Sequence, residues 1–160
     1  MNTNGHKPSI LIADDEDMVI ASIRAFLQLE ADFDIHGFTD PEEAARFAAA
    51  NPVDVAVSDF LMPKMNGIQL LAKIKEAQPE ASRVLLTGHA DKQSAIQAIN
   101  EVALFQYLEK PWDNAQLLLV IESGAERAQL FRELREKVEE LDTAHSSLKN
   151  AQRRLIEAFL

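Results

Sequence analysis

The sequence predicts an α/β protein: a doubly wound parallel sheet of five strands, followed by an extended coiled-coil helix. Three observations predict it. Short apolar runs alternate with helical patterns over residues 1–121, and each run ends in polar or turn-forming residues. The clearest runs are apolar on both sides, as strands covered on both faces of a parallel sheet must be. From Phe131 onward the apolar spacing changes to a repeat of seven.

Strands are expected at residues 9–13, 34–37, 53–58, 83–87 and 105–108, with helices between them at 17–30, 41–50, 67–77 and 92–100. Asp40 followed by Pro41 supplies a helix cap and a proline in the first helical turn. Residues 1–8 read as a flexible tail. A fifth helix is expected to begin after Lys110-Pro-Trp-Asp113 and to run to Leu160, because no proline follows and Gly124 is its single glycine. At a rise of about 1.5 Å per residue it would reach about 70 Å. Leu134, Leu141, Leu148 and Leu155 hold one core position of the repeat, and Phe131, Val138 and Phe159 the other. Polar His145 and Gln152 interrupt the second series. A helix folded back on its own domain would favour a wider apolar stripe than this seam. The expected division is a body at residues 1–121 and a coiled-coil linker helix at 122–160.

With 160 residues and 47% hydrophobic content, the chain has enough apolar material for a core. It has no cysteine, which excludes a disulfide framework, a zinc–thiolate cluster and a thiol nucleophile. The lack of a secretory signal or long apolar run points to the cytoplasm and away from the membrane. The net charge of −10 is unevenly spread: residues 1–121 hold 18 acids against 9 bases, and residues 122–160 hold 8 against 7. An acidic body is a poor match for nucleic acid or anionic lipid, since counterion release needs clustered Lys and Arg. No direct nucleic-acid partner is expected.

In a doubly wound sheet, ligands bind beyond the carboxyl ends of the strands. Here the first strand is followed by Asp14 and Asp15, the third by Asp59 and the fifth by Lys110, while the fourth ends in Thr87. One aspartate at a strand end is commonly a turn former or cap. Three acids, a hydroxyl and a lysine at such positions point instead to a shared site. Gathered carboxylates repel one another, which raises their pKa values or calls for a cation between them. Mg²⁺ suits the donors, since it prefers oxygen and combines one or two carboxylates with water and phosphate oxygens. Asp59 is then the candidate nucleophile, because a carboxylate attacking phosphorus forms an acyl phosphate. Thr87 offers a hydroxyl donor and Lys110 a cation for the phosphoryl oxygens. Positioning and charge neutralisation are what phosphoryl transfer asks of a protein.

Four segments carry a resemblance: Ile10-Leu-Ile-Ala-Asp-Asp-Glu16, Ser58-Asp-Phe-Leu-Met-Pro-Lys-Met-Asn-Gly67, Leu85-Leu-Thr-Gly88 and Tyr107-Leu-Glu-Lys-Pro111. In order and approximate spacing they resemble the defining segments of response-regulator receiver domains of two-component signalling, over about residues 8–121. The resemblance implies a flavodoxin-like sheet in the order 2-1-3-4-5. It implies that Asp59 is the phosphoacceptor and that Mg²⁺ is bound at Asp59, directly by Asp15, through water by Asp14 and through the backbone carbonyl of Leu61. It further implies that Thr87 is the switch hydroxyl, Lys110 the phosphoryl-binding lysine and Tyr107 the aromatic that swings inward with Thr87. A cis Lys110–Pro111 peptide belongs to the same pattern. His89 either influences how water reaches the acyl phosphate or is an exposed loop histidine, and Met62, Met65 and Trp112 read as packing. The implied phosphodonor is a sensor histidine kinase or phosphotransfer protein, and the implied enzymology is limited to self-phosphorylation and slow autodephosphorylation.

A lone helix with one apolar seam is expected to pair, most simply as a parallel homodimer in which Lys137 faces Asp142 of the partner subunit. His145 and Gln152 would cost the seam stability while penalising other registers. The repeat is still running at Phe159-Leu160, the ending expected of a chain cut before an output domain. Residues 105–112 and the helix after them are similar to receivers coupled to cyclic-dinucleotide enzymes of the HD-GYP or GGDEF kinds. Two other classes compete. Phosphatases of the haloacid dehalogenase family also use an aspartyl nucleophile with Mg²⁺, but place a second aspartate two residues beyond it, where this chain has Leu61. A purely structural dimerisation helix leaves Asp14, Asp15, Asp59, Thr87 and Lys110 without a reason.

Overall fold

The computed structural model describes residues 5–159; Leu160 and residues 1–4 of the expected flexible tail lie outside the described residues. In chain order the elements are β1 (Ser9–Ala13), α1 (Asp17–Glu30), β2 (Asp34–Phe38), α2 (Pro41–Ala50), β3 (Val55–Asp59), α3 (Gly67–Ala77), β4 (Ser82–Thr87), α4 (Lys92–Glu101), β5 (Gln106–Glu109) and α5 (Asn114–Phe159). A short 3₁₀ turn at His89–Asp91 leads into α4. The five strands pair in parallel in the flavodoxin-like order β2-β1-β3-β4-β5.

Every residue of β1, β3 and β4 is buried, which explains why their sequences are continuous apolar runs rather than alternations. Successive side chains still point to opposite faces. Ile10, Ile12, Val55, Val57, Val84 and Leu86 meet α1 and α5, whose Leu27, Leu117 and Ile121 are wholly buried. Leu11, Ala13, Ala56 and Leu85 meet α2 and α3 on the other face, against Ala44, Leu70, Leu71 and Ile74.

The predicted elements all form; β1, α1, α2 and α3 keep their expected bounds, and β2, β3, β4, β5 and α4 shift at one or both ends by one or two residues. β3 begins at Val55 rather than at residue 53, because the Val53 amide donates to the Gln78 side chain at 2.7 Å. β5 starts one residue later than expected, at Gln106, which pairs with Val84. β2 extends to Phe38 through its pairing with Ala13, and β4 begins at Ser82 through its pairing with Val55. The expected flexible tail is corrected from His6 onward. His6 Nε2 lies 3.0 Å from Asp54 Oδ2, the Ser9 amide donates to the same oxygen at 2.7 Å, and the Asp34 amide donates to the Pro8 carbonyl at 2.9 Å. Buried Asp54 thus caps the start of β1 and holds the segment before it.

Asp40 caps α2 as expected, accepting from the Glu42 amide at 3.0 Å with Pro41 as the first helical residue. α5 is one unbroken helix of 46 residues. The chain divides into two compact units between Ala128 and Gln129. In the first, α5 buries Leu117, Val120, Ile121, Gly124, Ala125 and Ala128. In the second, the apolar repeat positions are exposed, from 44% at Phe131 to 87% at Phe159, and so are His145 and Gln152. No helix among the described residues is long and apolar enough to cross a membrane.

Candidate functional site

The carboxyl ends of β1, β3, β4 and β5 deliver the predicted side chains. Beyond β1, the Asp14 amide donates to the Phe38 carbonyl at 3.1 Å, which holds the residue at the sheet edge. Asp14 is buried while Asp15 is exposed. At the end of β3, Asp59 pairs in register with Leu86 and is 7% exposed. The chain then turns sharply: the Phe60 amide donates to the Leu86 carbonyl at 3.0 Å and the Gly67 amide to the Phe60 carbonyl at 2.9 Å. A Cβ at Gly67 would collide with the backbone carbonyl of Asp59, so the turn requires glycine there. Thr87 closes β4, fully buried, with Oγ1 making a long 3.5 Å contact to the Leu108 carbonyl on β5. The Lys110 amide donates to the Thr87 carbonyl at 2.7 Å, and the Lys110–Pro111 peptide is cis.

These elements bring Asp14, Asp15 and Asp59 together, with one carboxylate oxygen of each within 4.8 Å of the others. Lys110 Nζ lies 2.9 Å from Asp59 Oδ1 and 4.0 Å from Asp14 Oδ2. Asp14 Oδ1 accepts from the Glu16 amide at 2.9 Å, but its Oδ2 is buried without a hydrogen-bond partner. Burial pushes the Asp14 carboxyl up to about 6 against the Glu16 amide, which opposes the rise, and the charges of Asp59 and Asp15 add to it. Lys110 moves upward from the ordinary lysine value: burial works against it, and the hydrogen bond and charge of Asp59, with Asp14 and Glu16, outweigh that. One lysine therefore faces more negative charge than it can neutralise. A buried carboxylate oxygen with no donor, beside two further carboxylates, is the donor set that a hard divalent cation fits.

The other predicted residues fall as follows. Leu61, two residues beyond Asp59, is 62% exposed. Tyr107 is half-buried on β5, paired in register with Leu85. Met62 and Met65 pack on the α2–α3 side of the core and Trp112 on the α1–α5 side. His89 is exposed on the loop, with its Nδ1 2.6 Å from Glu109 Oε1. Sequence reasoning quoted Gly67, Asn66 and Glu109 within the resembling segments but gave none of them a role. Asn66 was within reach, because its spacing to Gln69 is that of a capping box and the structure contains both bonds, at 2.8 and 2.9 Å. The His89–Glu109 bond joins residues 20 apart and leaves no pattern in the sequence.

Residues 10–122 match the family model of the response regulator receiver domain. The chain is 28% identical over 118 residues to the hydrogenase transcriptional regulatory protein HoxA of Cupriavidus necator, covering 74% of this chain and 24% of that protein. It is 29% identical over 163 residues to the transcriptional regulatory protein FixJ of Bradyrhizobium diazoefficiens, covering 100% of this chain and 76% of that one. Among solved structures, the signal receiver domain of an HD domain-containing protein from Pseudomonas fluorescens Pf-5 superposes with a TM-score of 0.72 at 32% identity, covering 78% of this chain and 98% of that chain. The chain spans 24% to 29% of the length of HoxA and similar regulators. With its matching sequence, its 2-1-3-4-5 sheet and the acidic cluster at the sheet's carboxyl edge, the chain belongs to the response regulator receiver domain family, the receiving modules of phosphorylation signalling.

Proposed function

We propose that Asp59 accepts a phosphoryl group from a sensor histidine kinase or phosphotransfer protein, at a site where Asp14, Asp15, Asp59 and the backbone carbonyl of Leu61 hold Mg²⁺. The observation that carries this reading is the 2.9 Å contact of Lys110 Nζ with Asp59 Oδ1, beside the buried, unpartnered Oδ2 of Asp14. When bound, the ion neutralises charge on the phosphoryl oxygens. A carboxylate oxygen of Asp59 attacks the phosphorus of the donor's phosphohistidine; the new O–P bond forms as the N–P bond breaks, and the electron pair leaves on the imidazole. Lys110 then transfers its charge-assisted hydrogen bond to a phosphoryl oxygen. Thr87 exchanges its long contact with Leu108 for another phosphoryl oxygen, and Tyr107 on the neighbouring strand β5 follows it. Water later hydrolyses the acyl phosphate slowly. Turnover of outside substrates is not part of the proposal, because Leu61 stands where a phosphatase would need its acid.

Output passes through α5 in this reading. A receiver at residues 1–121 feeds a linker helix at 122–160, which forms a parallel homodimer through Phe131, Leu134, Val138, Leu141, His145, Leu148, Gln152, Leu155 and Phe159. The effector of this reading is a cyclic-dinucleotide enzyme of the HD-GYP or GGDEF kind; the similar receiver of an HD domain-containing protein supports no more than an HD domain there. The transcriptional regulatory proteins HoxA and FixJ favour a second reading, an effector that regulates transcription. Either fits a cytoplasmic signalling protein.

The deciding experiment is incubation with acetyl phosphate and Mg²⁺ followed by intact mass measurement. Wild type should gain one phosphoryl group, and Asp59→Asn none; an equal gain in Asp59→Asn would reject the assignment.

A further inference from the structure

The two ends of β4 touch different parts of the domain. Thr87 stands at its carboxyl end, beside Asp59's strand. At its amino end Ser82, fully buried, donates from Oγ to the Gly124 carbonyl of α5 at 2.7 Å. The approach depends on a missing side chain, since a Cβ at Gly124 would stand 3.1 Å from Ser82 Cβ and 3.3 Å from Val55 Cγ2. Three residues further along α5, Arg127 Nη1 donates to the same Ser82 hydroxyl at 3.3 Å. The guanidinium carbon of Arg127 also lies 5.6 Å from the centre of the Phe105 ring, within cation–π range.

Phe105 is itself tied to β4, its amide donating to the Arg83 carbonyl at 2.8 Å. The buried Arg83 guanidinium donates from Nε to the Val102 carbonyl at 2.8 Å and from Nη2 to the Ala103 carbonyl at 3.3 Å. From Nη1 it donates to the Ala81 and Pro79 carbonyls at 2.8 and 3.1 Å. The α4–β5 connection, with Ala103 in the left-handed region at φ 48°, is therefore held to β4 by the Arg83 side chain together with the Phe105 amide. The next aromatic, Phe105, sits against Arg127.

This cluster is remote from the phosphoacceptor. Five residue steps along β4 place Ser82 about 17 Å from Thr87. It joins β4, the α4–β5 connection, the start of β5 and α5, through hydrogen bonds and a ring contact whose geometry is discrete and which break rather than stretch. Any shift of β5 that follows Thr87 and Tyr107 moves Phe105, and Phe105 meets α5 four residues before Phe131, where the apolar repeat begins.

We infer that Ser82, Phe105, Gly124 and Arg127 form a basal joint that couples the β4–β5 switch to α5, with Phe105 and Arg127 as positioning residues for the output helix. The inference rests on the coiled-coil output proposed above. Its test uses the full chain carrying a spin label at Thr143→Cys, on the side of the repeat away from the seam, with interchain distances measured before and after beryllofluoride and Mg²⁺. The backgrounds are wild type, Phe105→Leu, Phe105→Tyr and Arg127→Leu, and phosphorylation by acetyl phosphate is followed by mass in each. Phe105→Leu and Arg127→Leu should accept phosphate within about twofold of the wild-type rate, as befits substitutions remote from the site. They should lose more than about half of the distance change, while Phe105→Tyr, which keeps the ring, retains it. Distance changes equal to wild type in both would overturn the joint, as would phosphorylation falling in step with the distance change. If Arg127→Leu does not fold, Phe105→Leu against Phe105→Tyr decides. A wild-type chain that is phosphorylated without any distance change overturns the coiled-coil output and the joint with it.

Discussion

Asp14 concentrates the electrostatic problem of the site in one carboxylate. Its charged form is disfavoured first by burial and then by Asp59 and Asp15, which together with the opposing Glu16 amide and Lys110 leave its pKa at about 6 instead of the ordinary 3.8. A carboxyl whose pKa is higher in the folded than in the unfolded chain contributes stability that is fully present below about 3.8 and is lost as pH rises through about 6. At pH 7 that loss amounts to about 3 kcal/mol, two units at 1.36 kcal/mol each. Asp14→Asn should therefore be the more stable protein at pH 7 in metal-free buffer, with the difference vanishing below about pH 4. Urea titrations at both pH values measure this, and a variant less stable than wild type at pH 7 would contradict it. Millimolar Mg²⁺ should raise the stability of wild type more than that of Asp14→Asn, which keeps Asp15, Asp59 and the Leu61 carbonyl but loses one negative charge beside the ion. Asp14, Asp15, Asp59, Thr87 and Lys110 were each legible in the sequence because they stand at strand ends. The contact of Gly67 with the Asp59 carbonyl was not, since it depends on how tightly the turn after β3 closes.

Helix and strand ends decide how well the site is held. The turn from Asp59 to α3 is closed by the reciprocal Asn66–Gln69 bonds, which satisfy two amides at the helix start. Asn66→Ala should cost about 1 kcal/mol in urea denaturation. It should also slow phosphorylation by acetyl phosphate, because the same loop carries Leu61. A loss of stability with an unchanged rate would show that the cap serves the helix alone. At the other end of α3, Gln78 donates to the Ala48 and Asn51 carbonyls and accepts from the Val53 amide. That hub explains why β3 starts two residues later than its hydrophobicity suggests. In α5 the element-scale feature is the polar pair in the repeat. Replacing His145 with Val and Gln152 with Leu removes two polar layers from the proposed seam. Thermal melting of the dimer should rise and beryllofluoride-induced distance changes should shrink, whereas an unchanged response would mean that the polar layers do not tune the switch.

For the whole molecule, the separation of work between the two compact units is itself testable. The proposed phosphoacceptor site lies within the first, and the exposed apolar repeat within the second. Leu141→Glu places a charge in the proposed seam, where burial of an unpaired carboxylate costs several kcal/mol. The variant should be monomeric by light scattering at concentrations where wild type is dimeric, yet should still gain one phosphoryl group on Asp59. A dimer that survives the substitution would place the interface elsewhere. By itself the sequence determined the number and kind of strands and helices, the long helix with its repeat, and the five strand-end residues proposed to carry the chemistry. These follow from local causes: apolar runs, caps, the absence of proline and the position of polar residues at strand ends. Only the tertiary structure decided the 2.9 Å pairing of Lys110 with Asp59, the stranded oxygen of Asp14, the anchoring of His6 by Asp54 and the grip of Ser82 on Gly124. Each joins residues far apart in the chain, and distances of that kind are set by how the strands and helices pack, which no local pattern encodes.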